Sequence, residues 1–484
     1  MKFKALIAFT ASAAALAAPA AVQAQTRGIS QSDFQQAAQQ HPQLVEEFGG
    51  IVDPARAAYV GNVGARIGAQ SGVAGGGGAY RFTALNSPVM NAFAVPGGYI
   101  YITRQLMGLM NDEAELASVL GHETGHVAAR HSQGRQRQSI FSQILAAGAA
   151  ILTGSSQIGQ LLGQVSQLRL LSYSRNQEFQ ADDLGIRYMT QAGYDPNAAV
   201  SLLASLGAAT SLEQRASGRD DERSTPAWAS THPLSADRVA RATRTSRATG
   251  AAGRGIRNRE QYLAMVDGLI VDDDPRQGVV DGRNFRHPDL RLGFTVPQGY
   301  GMQNGTRAVS ISGTGGQAQF STGAFSGNLG TYIAQVFRSV AGQQSQMQFT
   351  QPQATTINGI PAAFSTARAN TQQGQVDVTV VAYQWDSNTA YHFATITRAG
   401  TGLGAFQPMV QSLRRLSPQE AAAIRPRVID VVTVGAGDSV QSLANRMAYP
   451  DLRVERFMTL NGLNANSRLI PGQRVKVVVY GNRV

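Results

Sequence analysis

His122-Glu123-Thr124-Gly125-His126 is the stretch whose reading decides this chain. On a helix, residues four apart share a face, so both imidazoles reach one ion while Glu123 stands beside a vacant coordination position. That arrangement suits a catalytic zinc, with a carboxylate to take a proton from a metal-activated water. The chain has only seven histidines, and two of them fall in this pentad. The motif predicts a zinc metallopeptidase.

Upstream, the pattern prepares this helix. Tyr80 to Leu85, Val89 to Val95 and Tyr99 to Thr103 are strand candidates, with Pro96-Gly97-Gly98 as a turn. Asp112 can cap the following helix and Glu115 can close the capping box. Leu116, Val119 and Leu120 form the apolar stripe leading into His122. The glycine run Gly75 to Gly78 lacks the Lys-Ser/Thr ending of a phosphate loop and reads as a connection.

Downstream, a catalytic zinc needs a third protein ligand. A metzincin would carry Gly at 129 and His at 132; Ala129 and Ser132 stand there instead. His131 lies about 140° around the helix from His126 and reads as a solvent-facing or helix-end residue. Glu178 is the better candidate. Glu178 and Asp182 share a face of a second helix, so one could bind metal while the other holds a histidine ligand's far nitrogen. Taken alone, such a pair is more often a solvated helix face.

Four ordered segments carry a resemblance: Asn91-Ala92-Phe93-Ala94-Val95-Pro96-Gly97-Gly98-Tyr99-Ile100, Gly121 to His126, Ser174-Arg175 to Asp182, and Thr231-His232-Pro233-Leu234-Ser235-Ala236-Asp237-Arg238. Together they resemble metallopeptidase family 48. This gluzincin group includes HtpX-like membrane proteases, CaaX prenyl proteases and periplasmic proteases of outer-membrane quality control. The resemblance implies His122, His126 and Glu178 as ligands of one Zn2+ per chain and Glu123 as general base. It implies Asp182 as partner of a ligand or proton donor, and His232 either approaching the metal as a regulatory ligand or stabilising the oxyanion. Arg238 is a second oxyanion candidate. A substrate would add as a strand along the edge at Asn91, Ala92, Phe93 and Ala94, which favours extended or misfolded chains.

Composition places this chemistry. Met1 to Ala24 reads as a signal peptide, with Lys2 and Lys4 before an alanine-rich apolar run and cleavage after Ala24. Absence of cysteine in an exported chain points to a bacterial periplasm. Removing the two leader lysines takes the net charge from +11 to +9, and Lys476 is then the only lysine left. Anionic lipid or cell-wall polymers suit that surface, and no nucleic-acid module is recognisable. Ile140 to Thr153 is apolar but too short to span a bilayer. It reads first as a buried hairpin helix, with a lid or a peripheral membrane or partner contact as alternatives.

The predicted fold is multidomain α+β. After the leader (1–24) come a mainly helical peptidase domain with a small β-sheet (25–271), a linker (272–284) and an antiparallel α+β accessory domain (285–416). A second linker (417–427) leads to a terminal βααβ unit (428–484). The accessory region shows no catalytic cluster; His287 and His392 read as structural. The terminal unit resembles a LysM module through Gly437-Asp438-Ser439-Val440, Arg456-Phe457-Met458-Thr459-Leu460-Asn461-Gly462 and Leu469-Ile470-Pro471-Gly472, which implies peptidoglycan as partner. The leading expectation is an exported zinc endopeptidase acting on misassembled envelope proteins. Its rivals are a peptidoglycan cross-link peptidase and a chaperone-like binding protein whose zinc site is latent.

Overall fold

The structure, a computed structural model, describes residues 28–132, 173–217, 227–341, 347–371 and 374–482. The expected leader and the apolar run Ile140 to Thr153 lie outside the described residues. Among the described residues, no helix is long and apolar enough to cross a membrane.

The chain opens with α1 (Gln31–Glu47) and α2 (Pro54–Gly68), the latter started by Asp53, whose side chain accepts from Arg56 N, and by proline at the first turn. Three strands follow, β1 (Arg81–Leu85), β2 (Ala92–Val95) and β3 (Tyr99–Thr103). They form a sheet of order β1-β3-β2, with β1 parallel and β2 antiparallel to β3. β2 is therefore an edge strand, but its residues are buried rather than exposed. Phe93 and Val95 pack with Leu44 and Phe48 of the α1 region, while Ala92 and Ala94 face the main core.

After the short α3 (Arg104–Leu109), α4 (Glu113–Ala128) carries the pentad. Asp112 caps it by accepting from Glu115 N at 2.9 Å. The Glu115 carboxylate closes on Asn111 N at 2.7 Å, one residue earlier than a capping box would place it. Helix α5 (Arg175–Gln191) begins with a full capping box on Ser174 and Gln177. It crosses α4 where both helices lack side chains. A Cβ added to Gly185 would lie 2.8 Å from His122 N, and one added to Gly125 would lie 3.1 Å from Ala181 O. This close approach brings together the helices that carry the pentad and Glu178 without intervening side chains. Helices α6 (Asn197–Ser217), α7 (Ala227–Thr231), α8 (Ala236–Ala248) and α9 (Arg259–Val266) complete the helical layer.

Beyond it lie β4 (Ile270–Val271), β5 (Val279–Asp281), β6 (Asn284–His287), β7 (Leu292–Thr295), β8 (Gly301–Asn304), β9 (Ala308–Gly313) and β10 (Gly316–Ala324). They continue with α10 (Leu329–Ala341), β11 (Gln353–Ile357), β12 (Ile360–Thr371), β13 (Gly374–Gln384), β14 (Thr389–Arg398), α11 (Gln407–Ser412) and β15 (Arg414–Arg415). Seven strands form an antiparallel sheet, β11-β12-β13-β14-β10-β9-β8, with α10 packed on one face. A second sheet, β15-β7-β6-β5, includes β5, so the stretch read as a linker (272–284) is partly ordered as a strand.

The chain then forms α12 (Pro418–Ala422), β16 (Arg427–Thr433), α13 (Val440–Ala444), α14 (Arg453–Leu460) and β17 (Arg474–Tyr480). The terminal unit is thus βααβ. Its sheet has a third strand from elsewhere: β4 pairs antiparallel with β16, giving the order β17-β16-β4. Ile429, Phe457, Val475 and Val477 share one continuous apolar core with Leu106, Leu116, Leu206 and Leu269.

Candidate metal centre

Helices α4, α5 and the turn after α7 deliver four side chains to one point. His122, His126, Glu178 and His232 are all buried, and one ligand atom from each lies within 4.8 Å of the others. The two Nε2 atoms of His122 and His126 are 3.0 Å apart. Glu178 Oε1 lies 3.4 Å from His126 Nε2, and Oε2 lies 3.6 Å from His122 Nε2. Ligands about 2.0–2.1 Å from a tetrahedral ion would be separated by roughly 3.4 Å, so the three side chains span a metal-sized gap. His232 Nδ1 sits 3.2 Å from His122 Nε2 and 3.1 Å from Glu178 Oε1, near a fourth corner.

The outer partners leave the inner nitrogens bare. His122 Nδ1 donates to Asp182 Oδ1 at 2.8 Å, so its Nε2 carries a lone pair. His131 Nε2 donates to Gln180 Oε1 at 3.1 Å, which leaves its Nδ1 to accept from His126 Nδ1 at 2.8 Å. On this tautomer assignment both Nε2 lone pairs converge on the same point, an arrangement a cation resolves. Burial pushes the His126 pKa well below the ordinary histidine range despite Glu178, which keeps the ring neutral as a ligand must be.

Carboxylates in this pocket are tuned by the same neighbours. Burial works against the Glu178 carboxylate, yet the rings of His232, His126 and His122 hold its pKa well below the usual carboxylate range. Burial likewise opposes Asp182, but hydrogen bonds from His122 and Arg238 bring it to about 2. Glu123 differs. It is fully buried, and among the described residues neither carboxylate oxygen has a hydrogen-bond partner. Burial raises its pKa, with His232 and His122 opposing. His232 Nε2 stands 3.5 Å from Glu123 Oε1. Its own pKa is raised, because Glu178 and Glu123 outweigh burial.

Arg238, expected to face a reacting oxygen, is committed elsewhere. Its Nε and Nη2 donate to the two Asp182 oxygens, both at 2.8 Å, and Nη1 donates to the carbonyls of His232 and Pro233, both at 3.3 Å. Nη1 also lies 2.7 Å from Glu178 Oε2 without the alignment of a hydrogen bond. The guanidinium braces Asp182 and the backbone of His232 and Pro233. His131 also differs from the expectation: it is buried and bonded to His126. The helix ends at Ala128 and Arg130 adopts a left-handed φ of 54°, which swings His131 back toward the site. Two aromatic plates were not foreseen: Tyr173 stacks on His126 at 3.7 Å, and Trp228 stacks on His232 at 4.3 Å. Trp228 N donates to Met90 O at 3.1 Å, linking α7 to the start of the expected substrate strand. Asn91 lies there with its backbone bonded to Thr103, and among the described residues its buried Oδ1 has no hydrogen-bond partner.

Residues 54–246 match the model of peptidase family M48, and residues 432–478 match the LysM domain. The mitochondrial metalloendopeptidase OMA1 of Schizosaccharomyces pombe is 33% identical over 203 residues, covering 41% of this chain and 56% of that protein. The β-barrel assembly-enhancing protease of Escherichia coli K12 is 30% identical over 200 residues, 39% of each chain. Metalloprotease LoiP of the same organism is 32% identical over 153 residues, covering 31% of this chain and 56% of its own. The match thus spans little more than half of each relative at most. The resemblance read from the motifs holds for both regions.

Proposed function

We propose that this chain, which carries a peptidase family M48 domain and a LysM domain, is a zinc-dependent endopeptidase of the bacterial envelope. One observation carries the reading: three buried side chains, His122, His126 and Glu178, converge at metal-ligand spacing beside the buried Glu123 carboxylate, which has no hydrogen-bond partner among the described residues. Two imidazoles and a carboxylate suit zinc. When bound, that ion would polarise a scissile carbonyl and make water acidic enough to attack.

The chain's own residues do the rest. Glu123 accepts the proton of the attacking water and returns it to the leaving amine. Asp182 fixes the tautomer of His122 and Arg238 holds Asp182, so the ligand set is rigid before substrate arrives. β2 is an edge strand, and an extended substrate adds along it from Asn91 to Val95 once the cover that buries these residues moves aside. That geometry favours unfolded or misassembled chains over folded ones. The LysM domain supports peptidoglycan as a tether and the periplasm as location. The relative named for enhancing β-barrel assembly supports envelope proteins as the substrate class.

A second reading has one observation behind it: His232 stands at the fourth corner of the ligand set, where an attacking water would otherwise sit. In that arrangement the site is closed by its own histidine. The deciding experiment is hydrolysis of unfolded casein by the zinc-loaded protein. Chelation should abolish cleavage, zinc should restore it, and Glu123→Gln should lower kcat by at least about a hundredfold while zinc content stays at one per chain. Cleavage that survives Glu123→Gln unchanged refutes the peptidase assignment.

A further inference from the structure

The terminal module is joined to the peptidase as part of one body. β4 extends its sheet, Gly268 N donates to Ile429 O at 2.8 Å, and Ile429 N donates to Leu269 O at 2.9 Å. Arg259 bridges the two parts by donating to the carbonyls of Asn111 and Arg474, at 3.0 and 3.1 Å. Tyr449 donates to Asp272 at 2.8 Å. An added Cβ on Gly462 would lie 3.3 Å from Asn111 Nδ2.

At the centre of this junction lies Lys476, on β17 and with no exposed surface. Its ammonium makes three donations, to the carbonyls of Gly108, Leu109 and Met110, at 2.7, 3.1 and 2.6 Å. These carbonyls end α3, where helical partners run out and a cation is favoured. Asn461 clamps the lysine's backbone on both sides, accepting from its N–H and donating to its carbonyl, both at 2.8 Å. The next residues, Asn111 and Asp112, form the cap of the helix that bears His122, Glu123 and His126.

We propose that Lys476 is a positioning residue for the metal-bearing helix: the LysM-type module acts as a structural wall of the peptidase, pinning the start of α4 through three carbonyls. A buried amine that holds three carbonyls cannot be removed without stranding them, because the apolar core around them excludes water. The chain between α3 and α4 then relaxes, and the first turns of α4 move with it. The activity consequence rests on the peptidase reading; the placement itself does not.

The test uses the full chain. Lys476 is the only lysine beyond Lys4, so amine acetylation followed by mass spectrometry reports directly on this junction. Docked, Lys476 should acetylate at least about a hundredfold slower than a lysine peptide. Acetylation at the peptide's rate in folded protein overturns the proposal. In Lys476→Met, the amides of Glu113 to Leu120 should exchange at least about tenfold faster than in the native chain, with kcat lowered and KM held within about twofold. Lys476→Arg, which keeps the charge, should recover most of both. Unchanged exchange in Lys476→Met, or an equal loss in Lys476→Arg, overturns it. If Lys476→Met does not fold, the acetylation and Lys476→Arg arms still decide. If the native chain is inactive yet protection and exchange behave as expected, the peptidase reading fails and the positioning role stands.

Discussion

Gly185→Ala is the smallest change that should damage the metal centre without touching a ligand. The new methyl group would lie 2.8 Å from His122 N, 3.1 Å from Gly121 C and 3.2 Å from His122 Cα. All three are backbone atoms and cannot rotate aside, so α5 must retreat from α4 by roughly 0.6 Å to reach ordinary contact. That motion carries Glu178 away from both imidazoles, stretching separations that now stand at 3.4 and 3.6 Å. Overpacking costs about 1–3 kcal/mol, but alanine regains about 1 kcal/mol of helix propensity, so metal-free stability should drop by roughly 0–2 kcal/mol. Zinc affinity should fall further, by about 10–100-fold, the usual cost of disturbing a ligand's support. Competition against a chromophoric chelator measures the affinity, and urea unfolding of the metal-free protein measures stability. Gly207→Ala in α6 is the control: nothing lies within 4 Å of its added Cβ, so it should gain up to about 1 kcal/mol and leave affinity alone. Zinc affinity of Gly185→Ala within about threefold of the native value would refute the reasoning.

Three further outcomes follow from the same geometry. Asp182→Asn removes one charge from a carboxylate that holds both His122 and Arg238; zinc affinity should fall about 10–100-fold, measured by the same competition, and a change within twofold contradicts it. His232→Ala frees the fourth corner, so casein hydrolysis should rise severalfold as zinc affinity drops; a loss of a hundredfold or more would instead assign His232 to the oxyanion. His392 is buried in the accessory sheet with Tyr332 OH at 2.9 Å from its Nδ1, and burial lowers its pKa from 6.5 to about 4. The unfolded chain therefore binds more protons between those values, so stability is lost as pH falls from 6.5 toward 4, by about 3 kcal/mol. Urea unfolding of His392→Leu across that range should lack this component; parallel curves for both proteins would contradict the assignment.

Legibility tracked sequence distance. The pentad, its cap at Asp112 and the βααβ unit are local patterns, set by helix periodicity and turn chemistry, and they read directly. Glu178 could be proposed because i, i+4 geometry and the order of motifs constrain it. His131 is a helix-end residue, one of its two expected placements, but not the solvent-facing one, because Arg130 turns left-handed and folds the next ring inward. Arg238 has the right charge near the site, but four of its five N–H groups go to Asp182 and to the carbonyls of His232 and Pro233, partners that no sequence pattern names. The partnership of β4 with β16 was invisible for the same reason, since a two-residue strand has no periodicity. Lys476 did leave a trace. It sits in Arg474-Val475-Lys476-Val477-Val478, where alternation cannot send it to solvent without sending Val478 there too.

The three carbonyls held by Lys476 precede it by 368, 367 and 366 residues. During vectorial synthesis, domains ordinarily settle in the order they emerge. Here the start of the ligand-bearing helix waits for a strand made long after its own. A nascent chain would leave the ribosome with its histidines and glutamates in place and that end of the site unfinished. The four converging side chains would gain their final support only as the last strand is laid down.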